Sequence, residues 1–318
     1  MSNTYSVGVS VIIPVYGVEP YIERCVRSLF EQTMLENIEY IFVNDCTQDK
    51  SMEILSRIIR EYPTRKDQIR IINHNQNKGL CMARQTGIYY SRGEYIAHCD
   101  SDDWVEPKMY QSLYTIGKQD NADIVSCNFV LETNKGAKYI SFKYNNREQY
   151  LRDAISGNWG TVWKFMTKRQ LLINGDIYFN KKICHGEDYI YTAQCLLAAK
   201  RITNIDRYYY HYNCCNMSSM MNKQSLDSAY QQYAASEFIF KILEEKKISF
   251  SFSKEILLRK LYTRNRFLPF GVNKWRQIYP EIKNKYWKLP EIPFLTKIAY
   301  YILEHIPLIK VANKIMSR

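Results

Sequence analysis

The chain has 318 residues, of which 46% are hydrophobic and 24% are charged, and this balance excludes a wholly disordered protein. The net charge of +12 is unevenly placed. Residues 241–318 hold 17 Lys/Arg and 6 Asp/Glu, whereas residues 1–240 hold 27 and 26. The polar start predicts no secretory leader, and nine scattered cysteines without metal-ligand spacing predict reduced thiols in a cytoplasmic protein.

The first half of the chain alternates between short apolar runs and helical periodicity, as βα units do. Residues 9–14 form a continuous apolar run, which is typical of a strand buried on both faces. The order of the elements predicts an α/β fold with a doubly wound, mostly parallel sheet. Further strands are predicted at 39–43, 69–72, 95–98 and 124–130, and helices at 21–32, 52–60, 81–90 and 109–118.

Acidic side chains are densest after the fourth predicted strand, where Asp100, Ser101, Asp102 and Asp103 occur in succession. The carboxyl ends of parallel strands meet at one edge of a sheet, where ligands bind. Acidic side chains there repel one another unless a cation is bound, and Mg²⁺ or Mn²⁺ would share them with phosphate oxygens. The alternative is an acidic turn that caps the helix after Pro107, a role that would suit Asp103.

Five sequence blocks occur in a fixed order between residues 10 and 190: SVIIPVY, VNDCTQD, NKG with ARQTG, GEYI leading into DSDD, and GED. In order and spacing they resemble family 2 glycosyltransferases, including those that build bacterial capsular polysaccharide, exopolysaccharide or lipopolysaccharide. The resemblance implies a GT-A fold and sugar transfer from a nucleotide diphosphate. Asn44, Cys46 and Gln85 depart from the family pattern. Because Cys46 stands in place of Gly, we expect this turn to adopt φ > 0 less readily.

The resemblance implies a role for each matched residue on the donor side. Asp45 would accept a hydrogen bond from uracil N3–H, which favours UDP as the nucleotide. Asp102, together with Asp100, would hold a divalent cation, Mn²⁺ or Mg²⁺, against the diphosphate. The implied nucleotide-sugar contacts are Pro14, Val15, Tyr16, Glu19, Asp45, Lys78, Arg84, Asp100 and Ser101.

The resemblance also implies an inverting displacement, in which a carboxylate takes the proton of the acceptor hydroxyl. Asp188 is the implied base and Glu187 its support. Both lie at the predicted start of a helix, where the helix dipole favours a carboxylate, and Gly186 permits a close approach of substrate. The alternative is that Glu187 or Asp188 merely caps this helix.

Three further residues are implied on the acceptor side. Trp163 would offer a stacking face for a sugar ring, Lys164 a positive charge near phosphate, and His185 an acceptor contact. The alternatives are a core tryptophan, a solvated lysine and a polar loop residue. His211, in a predicted strand before the Ser-Ser pair at 218–219, would contact phosphate.

The βα alternation stops near residue 220, which predicts a GT-A domain over 1–220 and a basic helical C-terminal extension over 221–318. The donor half of the domain is expected at about 1–105 and the acceptor half at about 106–220. A helix predicted at 294–305 has an apolar stripe, along which lie Leu295, Ile298, Tyr301, Ile302 and His305.

The basic extension predicts a polyanionic partner. An amphipathic helix within it would lie on an anionic membrane surface, which suits a lipid-linked glycan acceptor and a peripheral location on the cytoplasmic face of the inner membrane. The alternatives are packing on the catalytic domain or an oligomer contact. No nucleic-acid partner is expected, because no recognition motif accompanies the charge.

The predicted function is therefore an inverting glycosyltransferase that moves a sugar from a nucleotide-diphosphate donor to a glycan or lipid-linked acceptor in cell-surface polysaccharide synthesis. The expected donor is a UDP-sugar. The alternative is a non-catalytic nucleotide-sugar or glycan-binding protein of the same fold, which the presence of both Asp102 and Asp188 disfavours. A nucleotidyltransferase would show a basic Gly-rich loop after the first strand, and residues 14–19 contain no Lys or Arg.

Overall fold

The computed structural model of the chain forms two compact units, residues 1–151 with 159–223 and residues 152–158 with 224–318. The Ser-Ser pair at 218–219, named above with the predicted strand of His211, is not among the residues that the structure describes, and neither is the chain after residue 306. The structure describes residues 7–142, 144, 146–157, 160–216 and 225–306.

Each strand and helix predicted up to residue 130 is confirmed, with ends that differ by three residues or fewer. The described strands are β1 (Val7–Val15), β2 (Ile38–Asn44), β3 (Ile69–Asn73), β4 (Gly93–His98), β5 (Trp104–Val105), β6 (Ile124–Thr133), β7 (Gly136–Ile140), β8 (Phe165–Lys168) and β9 (Ile202–Asn213). The helices before residue 200 are α1 (Ile22–Phe30), α2 (Ser51–Glu61), α3 (Leu80–Tyr90), α4 (Met109–Gln119), α5 (Arg147–Ser156), α6 (Arg169–Asn174) and α7 (Glu187–Ala198).

All of these strands belong to one sheet, with the order β3-β2-β1-β4-β8-β6-β9-β5 and with β7 paired to β6. β1 pairs in parallel with β2 and β4, β2 with β3, and β6 with β9, whereas β8 lies antiparallel between β4 and β6. The predicted α/β, mostly parallel sheet is confirmed. The sequence does not predict β8, because four residues are too few to show a strand period.

Helix α3 approaches β1 closely. A Cβ on Gly87 would stand 2.2 Å from Cγ2 of Ile12, so a larger residue would force the two elements apart. β1 is buried on both faces, with Ile12 toward α3 and Val11 and Ile13 in the main core. Because Arg84 lies one turn before Gly87, this close approach also places Arg84 against the sheet.

Asp49 ties together the loops that follow β1 and β2. Its Oδ2 accepts from the backbone N–H of Glu19 (2.9 Å), and its Oδ1 accepts from the hydroxyl of Thr47 (2.8 Å) and the N–H of Ser51 (3.1 Å). Thr47 Oγ1 in turn accepts from the N–H of Gly17 (2.9 Å). The two loops therefore fix each other at the carboxyl edge of the sheet.

The second unit is mostly helical within its described residues. Its α-helices after residue 225 are α8 (Leu226–Glu245), α9 (Ser253–Asn265), α10 (Val272–Gln277) and α11 (Phe294–His305), with short 3-10 segments between them. A buried ion pair joins Arg264 to Glu304 (2.6 Å) inside this unit. In the part of the chain that the structure describes, no helix is both long and apolar enough to cross a membrane. The core of the unit contains Phe240, Leu261, Trp275, Tyr279, Ile282, Tyr286, Leu289 and Tyr300.

The turn after β2 holds a non-glycine residue in the left-handed conformation. Cys46 has φ +60°, so this turn adopts φ > 0 even though cysteine, which we expected to do so less readily, stands in place of glycine. An L side chain in this conformation costs about 1 kcal/mol. Hydrogen bonds on both sides keep the turn in place, from the N–H of Asp45 to Val15 O (3.0 Å) and from the N–H of Thr47 to Asn44 Oδ1 (3.0 Å).

We expect Cys46→Gly to raise the free energy of unfolding by up to about 1 kcal/mol, because glycine adopts φ > 0 without strain. Cys46→Ala keeps a Cβ in the same backbone conformation and should stay within about 0.5 kcal/mol of the wild type. Urea unfolding followed by tryptophan fluorescence compares the three proteins. Equal stability of the Gly and Ala variants would show that this turn is unstrained.

Candidate functional site

The carboxyl ends of β1, β2, β3 and β4 meet at one edge of the sheet, as predicted. The N–H of Asp45 donates to Val15 O (3.0 Å), and the N–H of His74 donates to Asn44 O (2.9 Å). These bonds extend the parallel ladders beyond the strands. The polar residues after the strands, including Asp100 after β4, are therefore fixed side by side.

Arg84 on α3 is the centre of the charged cluster at this edge. Its Nη2 donates to Asp100 Oδ1 (2.7 Å), and its Nη1 donates to Glu187 Oε1 (3.1 Å) and to Asp188 Oδ1. The Arg84 side chain is only 1% exposed. The prediction that Arg84 contacts the nucleotide sugar is therefore corrected: its guanidinium is buried and binds three carboxylates of this chain.

The first residues of α7 carry two of those carboxylates. Gly186, with φ +102°, is the N-cap of α7, and no side chain caps this helix. Glu187 accepts from the N–H of Gly186 (3.1 Å) as well as from Arg84, and Asp188 also binds Arg84. The alternative in which Glu187 or Asp188 serves only as a helix cap does not match this geometry.

Burial raises the pKa of Asp188 to about 8. The nearby positive charge of Arg84 opposes this rise, and the negative charges of Glu187 and Asp100 add to it. Burial also raises the pKa of Glu187, again against the effect of Arg84. The Asp188 side chain is 25% exposed, so a substrate hydroxyl can reach it. A reachable carboxylate whose pKa lies near neutral pH has the properties of a general base.

Asp102 and Asp100 offer oxygen ligands for a cation. Burial raises the pKa of Asp102, and the charge of Asp100 raises it further, so the ionised pair calls for a positive partner. Oδ2 of Asp102 accepts from Nδ2 of Asn216 (2.7 Å). Among the described residues, no group of three or more His, Cys, Asp or Glu side chains is arranged to hold a metal. Diphosphate and water would have to complete the coordination shell.

Asp103 holds β9 to the acidic segment. Its Oδ2 accepts from the hydroxyl of Tyr210 (2.6 Å) and its Oδ1 from the N–H of Asn213 (2.7 Å), and the residue is 1% exposed. Helix α4 begins after Lys108 without a side-chain cap. The suggestion that Asp103 caps this helix is therefore wrong, because its carboxylate is bound by β9.

Asp45 is buried and organises the loop before α3. Its Oδ1 accepts from the N–H of Lys78 (2.8 Å) and lies 2.7 Å from Nδ1 of His74, and its Oδ2 accepts from the N–H of Gly79 (2.8 Å). The side chain of Lys78 is exposed. A contact from Asp45 to uracil would thus add to three hydrogen bonds that this carboxylate already accepts.

The other predicted donor-side residues lie along the same edge. Pro14 and Val15 are buried at the end of β1, and Tyr16 directly after them is 52% exposed. Oε2 of Glu19 accepts from the backbone N–H of residue 50 (3.0 Å). Ser101 is buried in the acidic segment. Tyr16 is therefore the member of this set with an open ring face.

Trp163 and Lys164 belong to the core, which corrects their predicted acceptor roles. Trp163 is 2% exposed, with its ring stacked 4.3 Å from that of Tyr210 and edge-on to Phe129 (4.8 Å). Lys164 is also buried, and its Nζ lies 3.9 Å from the ring centroid of Phe142. A sugar cannot stack on a ring whose surface is covered, and a phosphate cannot reach a covered ammonium group.

His211 is bound by carboxylates, which corrects its predicted phosphate contact. Its Nδ1 lies 2.7 Å from Glu132 Oε1 and its Nε2 lies 2.9 Å from Glu106 Oε1, and its ring stacks on Trp104 (5.1 Å). His185 is partly exposed just before α7. It remains the predicted acceptor-side residue that a ligand could reach.

The sequence did not single out Asn213 and Asn216, which follow the Tyr-rich part of β9. Nδ2 of Asn213 donates to the backbone oxygen of Asp102 (3.2 Å), and Asn216 donates to its carboxylate. The sequence does contain a pattern that marks them, because both polar residues come at or after the end of a predicted strand. Applying the strand-end rule to β9 would have found them.

The chain matches the description "Glycosyl transferase family 2" over residues 10–176. It is also similar to an uncharacterized glycosyltransferase, EpsJ of Bacillus subtilis (strain 168), with 33% identity over 240 residues that cover 71% of this chain and 68% of EpsJ. The chain belongs to glycosyl transferase family 2. It spans 63% and 64% of the lengths of two further curated relatives, which is less than two thirds.

Two solved structures resemble this member of the family in fold. S. aureus TarS 1-349 in complex with UDP-GlcNAc has a TM-score of 0.62 at 17% identity and covers 93% of this chain and 90% of its own. Mannosyltransferase PcManGT from Pyrobaculum calidifontis, in complex with GDP-Man and Mn²⁺, has a TM-score of 0.55 at 16% identity. The match covers 95% of this chain and 87% of the PcManGT chain. At such identities the likeness establishes the GT-A fold.

We expect Arg84→Met to lower the free energy of unfolding by about 3 kcal/mol, because three partly buried carboxylates lose their cation. Arg84→Lys should lower the free energy of unfolding by less, since lysine keeps the positive charge but cannot bind all three carboxylates at once. Without Arg84 the pKa of Asp188 should rise above about 8 in the folded state, so the loss should grow as pH increases from 7 to 9, where the wild-type carboxyl ionises and that of the variant stays protonated.

The matched control for this prediction is Arg60→Met, which removes an exposed arginine from α2 and should change stability by less than about 0.5 kcal/mol. Urea unfolding at both pH values gives the comparison. If Arg84→Met proved as stable as Arg60→Met, the guanidinium would not be what holds the cluster together.

Proposed function

We propose that this glycosyltransferase moves a sugar from a UDP-sugar to a hydroxyl of a glycan or lipid-linked glycan in cell-surface polysaccharide synthesis, with inversion at the anomeric carbon. The observation that carries the proposal is the shared guanidinium of Arg84. It binds Asp100, on the proposed donor side, and Asp188, the proposed base, at the same time. An inverting displacement needs a donor site and a base. Asp100 of the proposed donor site and Asp188, the proposed base, are thus parts of one charged cluster.

In the proposed reaction, the acceptor hydroxyl attacks the anomeric carbon while its proton passes to Asp188. The bond between that carbon and the diphosphate oxygen breaks, and the nucleoside diphosphate leaves with the electron pair. Arg84 fixes the orientation of Asp188 and limits the rise of its pKa, so that part of the carboxyl is ionised near neutral pH. Glu187 supports this arrangement through the same guanidinium.

The acidic segment fits a divalent cation, Mn²⁺ or Mg²⁺. Asp102, with Asp100 beside it, would hold the ion, because both are hard oxygen ligands and burial and the charge of Asp100 raise the pKa of Asp102. When bound, such an ion supplies positive charge that stabilises the departing diphosphate. Asn213 at the end of β9 and Asn216 just after it donate hydrogen bonds to Asp102 and would keep it in place.

UDP is the proposed donor nucleotide, and two lines of support favour it. A neighbour in fold, TarS, is in complex with UDP-GlcNAc. In addition, Asp45 occupies the position whose family role is to accept from uracil N3–H. Tyr16, with its exposed ring, would lie beside the base. Hexosyl or N-acetylhexosaminyl transfer follows as the proposed specificity class.

We expect the full chain to bind a UDP-sugar in the presence of Mn²⁺ and to release UDP slowly from it in a panel of donors. Asp102→Asn, like chelation with EDTA, should weaken donor binding at least about tenfold, because the diphosphate loses its cation. Asp188→Asn should keep donor binding but lower the rate of transfer by about 10²–10⁴-fold. Calorimetry measures binding, and an assay for released UDP measures turnover.

Asp67→Asn, an exposed substitution of the same kind, is the control for both variants and should leave both readouts unchanged. A wild type that binds a UDP-sugar but releases no UDP with any acceptor would favour the non-catalytic alternative. Full transfer by Asp188→Asn would remove Asp188 as the base.

The pH dependence of kcat/KM should report the ionisation of Asp188. A base acts only when deprotonated, so the rate should fall about tenfold per pH unit below its pKa near 8 and level off above it. Glu187→Gln removes a neighbouring negative charge, which should lower the pKa of Asp188 and move the fall in rate, the acidic limb of the profile, to lower pH. Initial rates between pH 5.5 and 9 test the idea, and persistence of the same limb in Asp188→Asn would assign it to another group.

A further inference from the structure

Helix α11 in the second unit is turned so that its apolar face points outward. Glu304 is buried, whereas Leu295 on the opposite side is 77% exposed. Tyr300 and Leu303 of α11 pack on the core of the unit, so the helix carries apolar side chains on its outward face as well, where a surface helix is usually polar. We call the exposed apolar side chains the outward stripe; they are Phe294, Leu295, Tyr301, Ile302 and Ile306.

The orientation of α11 follows from an ion pair inside the unit. Arg264 on α9 is buried, its guanidinium stacks on Trp275 (3.6 Å), and its Nη1 donates to Glu304 Oε1 (2.6 Å). Oε2 of Glu304 also accepts from the hydroxyl of Tyr286 (2.9 Å). Rotating α11 to bury its apolar face would leave the buried Arg264 without its carboxylate, so the stripe stays outside.

Cations lie beside the outward stripe. Trp287, which is 40% exposed, contacts Phe294 edge-on (6.2 Å) and has the exposed Lys285 and Lys288 on either side. Nζ of Lys297 donates to the backbone oxygen of Trp287 (3.3 Å). An exposed tryptophan next to apolar side chains and lysines matches the chemistry of a bilayer interface, where aromatic rings sit at headgroup level and lysines meet anionic lipids.

A second copy of the chain fits this surface poorly. The face of a twelve-residue helix, about 18 Å long, covers on the order of 200 Å², against roughly 800 Å² per partner in a stable interface. Two copies joined through the stripe would also bring their lysines together. A bilayer needs no such matched area, because one interfacial helix can bury its apolar face alone.

We propose that the outward stripe, with Trp287 and its flanking lysines, binds the surface of a bilayer that contains anionic phospholipid. The helix lies in the headgroup region without crossing the membrane, since about 18 Å is well short of a hydrocarbon core of about 30 Å. This proposal stands on the second unit alone and does not depend on the reaction proposed above.

The test is flotation of the full chain with phosphatidylcholine vesicles that contain or lack about one third phosphatidylglycerol. The wild type should float with the anionic vesicles only. Leu295→Glu combined with Ile302→Glu should weaken vesicle binding at least about tenfold, and Lys285→Gln combined with Lys288→Gln about fivefold per charge. Circular dichroism and urea unfolding confirm that each variant is folded.

Two matched controls distinguish binding through the outward stripe from nonspecific hydrophobic or electrostatic binding to vesicles. Phe250→Glu alters an exposed apolar residue outside α11, and Lys241→Gln with Lys246→Gln removes two exposed charges elsewhere in the unit; both should bind vesicles as the wild type does. Equal weakening by the control lysines, no flotation of the wild type, or a wild-type dimer that only the Leu295→Glu/Ile302→Glu variant loses would each overturn the proposal.

Discussion

A single buried cation determines the geometry of the candidate site. Arg84 cannot stay inside the protein without carboxylates, because an unpaired buried guanidinium is strongly unfavourable. Its three partners come from the end of β4 and the start of α7, so satisfying one side chain fixes two distant segments of the chain. The glycine at position 87 makes this possible, since it lets α3 lie close enough to β1 for Arg84 to reach them.

The same cluster contains more negative than positive charge. One guanidinium faces Asp100, Glu187 and Asp188, with Asp102 nearby, and burial raises the pKa of several of these carboxyls. Such a surplus lowers stability, and functional sites are where such a loss is commonly found. Here the excess negative charge can be neutralised in two ways that the proposed reaction would use: by a cation bound near Asp102 and by a proton on Asp188.

The sequence predicts the order of strands and helices and the edge where the site lies, because strand-end positions follow from chain order alone. It does not predict which side chains near that edge are covered. Trp163, Lys164 and His211 matched family positions, yet the residues that cover them, Tyr210, Phe142 and Glu132, are distant from them in sequence. The pairing of β6 with β9 also shifts register between Cys127 and Phe129, and such a shift changes which residues face the core without a visible mark in the sequence.

Periodicity has a similar limit in α11, where it identifies the apolar stripe but not whether the stripe faces in or out. In both units the outcome rests on a buried arginine, and the two arginines differ in what they bind. Arg264 binds one carboxylate, Glu304, which leaves that pair neutral and makes it a structural lock. Arg84 binds three, which leaves net negative charge at the sheet edge. The count of carboxylates around each arginine therefore distinguishes a residue that only holds the fold from one that, in the proposed reaction, also prepares a site for chemistry.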